Sequence, residues 1–212
     1  MKPFSLYLVT EQEISLGRSN AEVIESAITG GVSIVQLRQK KWNKERYLAD
    51  AKILARLCKK NNVIFVINDY IDIALDVGAD GVHLGQEDMS IMDARKMCGK
   101  KLLIGKSTHS LEQALVAENE GADYISIGPV FETRAKPYTI GVDVVRDVVS
   151  HVRIPVVAIG GITLSTIQDV MDTGAHIIAV ISGIVSAPDI EDQTKKYVNV
   201  LRWNHEQREI TN

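Results

Sequence analysis

Short apolar runs rich in β-branched residues alternate with amphipathic stretches from one end of the chain to the other. The pattern predicts strands over residues 5–10, 33–38, 63–68, 81–85, 102–107, 124–130, 155–160 and 176–182. Val63-Ile64-Phe65-Val66-Ile67 is typical: it is apolar throughout, where a strand with one face in water would alternate. Runs of this kind suit a parallel sheet covered by helices on both faces of each strand.

The stretches between them carry helical spacing. Leu48, Ala51, Leu54, Ala55 and Cys58 recur every three or four residues, with Asp50, Lys52 and Arg56 on the opposite, solvated side. Val144, Val145, Val148, Val149 and Val152 form a second stripe, and Leu164, Ile167, Val170 and Met171 a third. Gly30, Gly78, Gly121 and Gly174 are placed to end helices in the left-handed conformation.

A small repeat ties the two kinds of element together. Gly78-Ala79-Asp80-Gly81-Val82, Gly121-Ala122-Asp123-Tyr124-Ile125 and Gly174-Ala175-His176-Ile177-Ile178 each set a helix stop directly before a strand. Eight such units with right-handed crossovers close into an α/β fold, the TIM (β/α)₈ barrel, as a single domain over residues 1–212. An open doubly wound sheet is the other arrangement of the same units. The polar end after about residue 203 is expected to fray.

Composition adds exclusions. With 45% apolar and 24% charged residues the chain is an ordinary globular one, and a net charge of −3 argues against nucleic acid and anionic membranes as partners. No apolar run approaches the roughly 18–20 residues of a membrane span, and the segment up to Thr10 is too short for a signal-peptide core. Cys58 and Cys98 lie on predicted helices without metal-ligand spacing, which suits reduced thiols and a cytoplasmic location.

In a barrel of this type the chemistry sits at the C-terminal ends of the strands. Polar residues collect at those positions: Gln36, Arg38 and Lys40 after strand two; Asn68 and Asp69 at strand three; Gln86, Glu87 and Asp88 after strand four. Ser107-Thr108-His109 ends strand five, Thr133, Arg134 and Lys136 follow strand six, Gly160-Gly161 follows strand seven, and Ser182-Gly183 follows strand eight. Glycines in the last two loops offer bare backbone amides to a phosphate, although a tight turn alone also needs glycine. Asp69 and Asp88, on adjacent strands, suit a magnesium ion that keeps water and phosphate as its other ligands. The alternative is that each caps the helix after it. Arg38, Lys40 and Lys136 can neutralise a diphosphate leaving group; for Lys40 and its neighbour Lys41 a solvated role is equally open.

Five segments extend this reading. Gln36-Leu37-Arg38-Gln39-Lys40, Ile67-Asn68-Asp69, Gly81-Val82-His83-Leu84-Gly85-Gln86-Glu87-Asp88, Gly128-Pro129-Val130-Phe131 and Ala158-Ile159-Gly160-Gly161-Ile162 resemble, in order, the signatures of the thiamine-phosphate synthase family. The resemblance runs from about Leu6 to Ile184. It implies transfer of the hydroxymethylpyrimidine group from its diphosphate to a thiazole phosphate, giving thiamine phosphate and diphosphate, with Mg²⁺ as cofactor. By position it implies that Gln36, Arg38, Lys40, Asn68, Ser107 and Lys136 hold the pyrimidine diphosphate. Arg38, Lys40, Lys136 and Ser107 are then the candidate catalytic set. Asp69 and Asp88 would ligate the metal, and Thr133, Gly161, Ile181 and Ser182 would hold the thiazole phosphate. The family commonly pairs, which makes a homodimer the expectation.

One stretch departs from the family pattern. Where the family usually has Pro-Thr-x-Thr-Lys, this chain has Glu132-Thr133-Arg134-Ala135-Lys136, so a threonine that could bind substrate is an alanine. Three rival readings go with the same barrel. His109 falls where a thiazole tautomerase would carry its histidine, although that enzyme has no use for a metal-diphosphate site. A non-catalytic barrel that binds a thiamine precursor would have shed some of the carboxylates and cations, all of which are present. A phosphosugar or indole isomerase would draft Asp69 and Asp88 as acid and base. Under the synthase reading His109 is structural or helix-capping, and His83 is a packed core histidine. The loops over residues 11–19 and 133–140 are candidate lids.

Overall fold

Each apolar run becomes a strand. In the computed structural model, β1 (Ser5–Val9), β2 (Ile34–Leu37), β3 (Ile64–Asn68), β4 (Gly81–Leu84), β5 (Leu103–Thr108), β6 (Tyr124–Ile127), β7 (Val156–Ile159) and β8 (Ile177–Val180) pair in chain order, all parallel. The ring closes through β1 and β8, with Leu6 opposite Ile178 and Leu8 opposite Val180. This is the TIM (β/α)₈ barrel, and closure rules out the open sheet, which would leave two edge strands. The structure describes residues 5–134, 136–175 and 177–211, with side chains as far as Trp203. Ala135 and His176 lie outside the described residues.

The helices are α1 (Asn20–Thr29), α2 (Lys44–Lys60), α3 (Ile71–Val77), α4 (Ile91–Cys98), α5 (Leu111–Asn119), α6 (Gly141–His151), α7 (Ile167–Met171), α8 (Ser182–Val185) and α9 (Ile190–Thr211). Local chemistry starts several of them. Ser19 and Glu22 form a reciprocal capping box on α1, and Asn43, Ser90 and Ser110 accept from the third residue of α2, α4 and α5. No helix among the described residues is long and apolar enough to cross a membrane.

Alternation along the strands splits the core into two apolar layers. Outward residues such as Leu6, Leu8, Val35, Leu37, Ile67 and Val82 meet Val23, Ile24, Leu54, Ala94, Val145 and Val170 of the surrounding helices. Inward residues Val9, Ile34, Val66, Val157, Ile177 and Ala179 fill the barrel around Tyr7 and Tyr124. A fully buried Leu or Ile contributes roughly 1.5–3 kcal/mol, so both layers hold the strand ends in register. Both cysteines are buried, and burial pushes the Cys58 thiol up to about 12.

Two local expectations are corrected. Gly30 keeps a right-handed φ of −72°, and the left-handed residue is its neighbour Gly31, at 96°. Gly30 is needed for close approach instead, since a Cβ there would lie 2.5 Å from the Cβ of Thr194 on α9. Gly78, Gly121 and Gly174 do take positive φ. Asp50, expected on the solvated face of α2, is half-buried and accepts from Asn20 Nδ2 at 2.8 Å, which links α2 to α1.

Candidate active site

The C-terminal mouth of the barrel collects the polar residues at the strand ends. Asp69 and Asp88 approach each other there, close enough for Asp88 to act on the Asp69 carboxyl. Neither caps a helix. The residue before α3 is Tyr70, with no side-chain cap, and α4 is capped by Ser90. Asp88 is held instead by the Gly85 N–H, which donates to its Oδ2 at 2.6 Å. Gly85 is fixed from its other side by Lys106, a buried lysine on β5 whose Nζ donates to the Gly85 carbonyl at 2.7 Å.

Asp69 has a left-handed backbone, φ 65°, uncommon for a residue with a side chain. Its N–H donates to the His83 carbonyl at 2.9 Å, so pairing with β4 holds the strained turn in place. Its carboxyl is pushed up to about 7, first by burial and then by the bond to and charge of Asp88; Lys40 and Arg38 pull the other way. Two opposed carboxylates with two cations in electrostatic reach form a site at which one ion is costly to keep deprotonated. A divalent cation would relieve that cost.

Arg38 is half-buried and Lys40 exposed at the end of β2. The backbone of Arg38 is fixed by Thr10, whose Oγ1 accepts the Arg38 N–H at 3.0 Å. Asn68 is buried at the end of β3.

Below these charges the barrel interior is polar. Gln36 Nε2 donates to Tyr7 Oη at 2.8 Å, and the Tyr7 and Tyr124 hydroxyls lie 3.1 Å apart. Tyr124 Oη is 3.0 Å from His83 Nδ1, and His83 Nε2 is 2.9 Å from Ser107 Oγ and 3.2 Å from Ser126 Oγ. Burial, reinforced by the Lys106 charge, lowers His83 to about 4, so it is neutral at physiological pH. Burial likewise keeps both tyrosines protonated. His83 is the packed interior histidine that the sequence suggests. Tyr7, Tyr124, Ser126 and Lys106 were not legible as site residues.

The opposite side of the mouth is made of loops. Thr133 and Lys136 face each other across a tight turn, with the Lys136 N–H donating to Thr133 Oγ1 at 3.1 Å. The Lys136 ammonium sits 5.9 Å from the centre of the Tyr138 ring rather than among the carboxylates. Gly160 and Gly161 both have positive φ, 101° and 67°, and a Cβ on Gly161 would lie 2.6 Å from the Glu132 carbonyl oxygen. The turn therefore requires glycine on steric grounds alone. Ile181 and exposed Ser182 sit where β8 passes into α8. The residue Ala135 of the departing segment is outside the described residues.

His109 does not cap α5. The side-chain cap of α5 is Ser110, while His109 Nδ1 bonds the Gly128 carbonyl and its ring meets Tyr138 edge-on. The loop after β1 is tied down by Arg18, whose guanidinium donates to the carbonyls of Val185, Ala187 and Pro188 at 2.8 to 3.2 Å. An outer cleft of about 450 Å³ between the β4–α4 loop and α5 also touches Asp88. It lacks Arg38, Lys40 and Asp69, which stand at the mouth.

The chain is similar to known proteins along most of its length. A family model described as Thiamine monophosphate synthase matches residues 6–184. A thiamine-phosphate synthase of Halalkalibacterium halodurans is 45% identical over 206 residues, covering 95% of this chain and 97% of the relative. One from Shouchella clausii is 46% identical over 196 residues, covering 90% and 93%. Among solved structures, a thiamine phosphate pyrophosphorylase from Pyrococcus furiosus superposes with a TM-score of 0.88 at 38% identity, covering 94% of this chain and 96% of the other.

Proposed function

The chain belongs to the thiamine monophosphate synthase family, and on that premise we propose how its barrel mouth performs the family's group transfer. The reaction moves the hydroxymethylpyrimidine group from its diphosphate to a thiazole phosphate, giving thiamine phosphate and diphosphate. The observation that carries the assignment of roles is the Asp69–Asp88 pair flanked by Arg38 and Lys40.

Asp69 and Asp88 hold Mg²⁺. The donor set fits that ion: two carboxylates meet at the mouth, and magnesium takes one or two carboxylates while keeping water and phosphate ligands. When bound, the ion supplies positive charge to the diphosphate as that group leaves. Arg38, Lys40 and Lys136 place further charge on the same oxygens, and Ser107 donates a hydrogen bond to them. Gln36 and Asn68 orient the pyrimidine. Thr133, Gly161, Ile181 and Ser182 seat the thiazole phosphate, aligning the thiazole nitrogen with the reacting carbon.

The bond changes need no protein nucleophile. The carbon–oxygen bond breaks with its electron pair leaving on diphosphate, the pyrimidine stabilises the carbocation, and the thiazole nitrogen lone pair forms the new carbon–nitrogen bond. Charge placement and alignment are what the residues supply. His109 is engaged with Gly128 and Tyr138, and no observation favours a tautomerase role for it.

The test is thiamine-phosphate formation from the two substrates with and without magnesium. Magnesium-dependent product is expected. Folded protein that yields no product from intact substrates overturns the reading, and product formed equally well in a chelator removes Asp69 and Asp88 as metal ligands.

A further inference from the structure

The polar groups inside the barrel form a series in which each link needs one hydrogen: Gln36 amide, Tyr7 hydroxyl, Tyr124 hydroxyl, His83 imidazole, Ser107 hydroxyl. A tyrosine hydroxyl has one hydrogen, so one that donates along the series must accept from behind. Neutral His83 likewise donates from one nitrogen and accepts at the other. An unbroken series therefore has two senses. In the first, Gln36 donates to Tyr7, Tyr7 to Tyr124, Tyr124 to His83 Nδ1, and His83 Nε2–H to Ser107. In the second, every hydrogen points the other way and the Gln36 amide must turn its oxygen to Tyr7.

Both ends select the first sense. At one end, Gln36 presents Nε2 to Tyr7. At the other, a phosphate oxygen only accepts, so a serine that binds it must donate; a His83 Nε2–H, shared between Ser107 Oγ at 2.9 Å and Ser126 Oγ at 3.2 Å, leaves the Ser107 hydroxyl hydrogen free for that. The first sense also leaves Gln36 Oε1 as an acceptor for a donor on the substrate.

We propose that Tyr7, Tyr124 and His83 are positioning residues, a buried relay that locks His83 as the Nε2–H tautomer and thereby fixes Gln36 as acceptor and Ser107 as donor toward substrate. The proposal rests on the roles given above to Gln36 and Ser107. A separate feature of the fold agrees with it. Gly105 lies between His83 and Tyr124 in the strand register, and a Cβ there would fall 2.1 Å from Tyr124 Cζ and 2.5 Å from His83 Nδ1. A side chain on β5 at that point would occupy the place where the two rings meet, so the sequence keeps the relay's central link open.

Nitrogen NMR of the histidine side chains in the full-length protein reads the tautomer without any need for turnover. The expected result is His83 protonated on Nε2 and bare on Nδ1; protonation on Nδ1 overturns the relay. Kinetics give a second arm. His83→Gln sets an amide N–H near the Nε2 position and His83→Asn sets its polar atoms near Nδ1, so the glutamine variant should keep more activity. Tyr124→Phe, checked for folding by circular dichroism, should lower kcat on the order of 10- to 100-fold, the range for losing a hydrogen-bond partner behind a working side chain. It should also allow the Nδ1–H form to appear in the spectrum. An asparagine variant as active as the glutamine one, or Tyr124→Phe within twofold of wild type with an unchanged tautomer, overturns the proposal. Wild-type product formation is scored in the same assay, so a failed relay with an active wild type leaves the synthase reading intact. An inactive wild type sinks that reading whatever the tautomer.

Discussion

The two sides of the barrel mouth are built differently. On the side of β2 to β5, Gln36, Asn68, Asp69 and Ser107 belong to strands or lie next to them, and Asp88 is tied back to its strand through Gly85. Each is fixed by hydrogen bonds to a neighbouring strand or by the buried relay. On the side of β6 to β8, Thr133 and Lys136 stand on a loop, and Ile181 and Ser182 on the lead into a four-residue helix. Rigidity is concentrated on the first side, which the proposed roles give to the departing diphosphate. Under the same roles the second side, Lys136 apart, admits and aligns a neutral nucleophile carrying one phosphate, for which adjustable contacts suffice. On that reading, preorganisation is placed where transition-state charge changes most.

If that division is right, the largest effect follows from removing a cation on the strand side. Arg38→Ala should lower kcat/KM on the order of 100-fold or more, about 3 kcal/mol of transition-state stabilisation, by analogy with losing one preorganised donor. The backbone of Arg38 is held by Thr10, so the fold should survive. Steady-state kinetics with each substrate varied in turn would decide it. Near-normal turnover would remove Arg38 from the mechanism and shift the weight to Lys136 on the loop.

A second variant separates function from stability. Asp69 in the folded state keeps its proton up to about pH 7, whereas an ordinary aspartate loses it near 3.8. Between those values the folded state binds more protons than the unfolded one, so this group's contribution to stability falls as pH rises and is lowest above pH 7. Under the proposed roles, magnesium bound by the ionised pair reverses the loss. Asp69→Asn removes the repulsion and, because asparagine tolerates the left-handed backbone, adds little strain. Metal-free, the variant should melt at least as high as wild type at pH 8, while wild type gains on the variant as the pH is lowered. Magnesium should raise the melting temperature of wild type more at pH 8 than at pH 5.5 and leave the variant unmoved. Activity should fall by about 100-fold or more. A wild-type protein whose magnesium response is the same at both pH values would break the link between the raised carboxyl and the metal.

The same contrast explains what could be read from the sequence. The strands were legible because runs such as Val63–Ile67 are buried on both faces and apolar throughout. Gln36, Asn68 and Ser107 stood out because each is a polar residue at the end of an apolar run. Tyr7 and Tyr124 did not, since tyrosine passes for an apolar strand residue until its hydroxyl is seen to meet another. In a strand covered on both sides, hydropathy does not say which residues face the barrel axis, so His83 and Lys106, one inward and one outward, looked alike. Gly105 was silent for the same reason: its role is the space it leaves between two rings far apart in sequence. Gly30 misled because a Gly-Gly pair ends α1, and the left-handed turn falls on the second glycine while the first is claimed by contact with α9.

The smallest effect should come from the loop side. Thr133 Oγ1 accepts the Lys136 N–H at 3.1 Å, and under the proposed roles its hydroxyl meets the thiazole phosphate. A hydrogen bond to a charged group is worth about 1.5 kcal/mol at the lower end of its range, or roughly tenfold in binding. Thr133→Ala should therefore raise the KM for thiazole phosphate about tenfold, with kcat and the KM for the pyrimidine diphosphate little changed. Loss of the turn that carries Lys136 sets the competing outcome. If Lys136 acts on the diphosphate and depends on that turn, kcat falls together with the rise in KM. A fall in kcat without any change in thiazole KM would mean that Thr133 acts only through the turn that carries Lys136 to the leaving group and not on the thiazole phosphate, and the division of labour between the two sides of the mouth would have to be redrawn with β6 on the side of the charges.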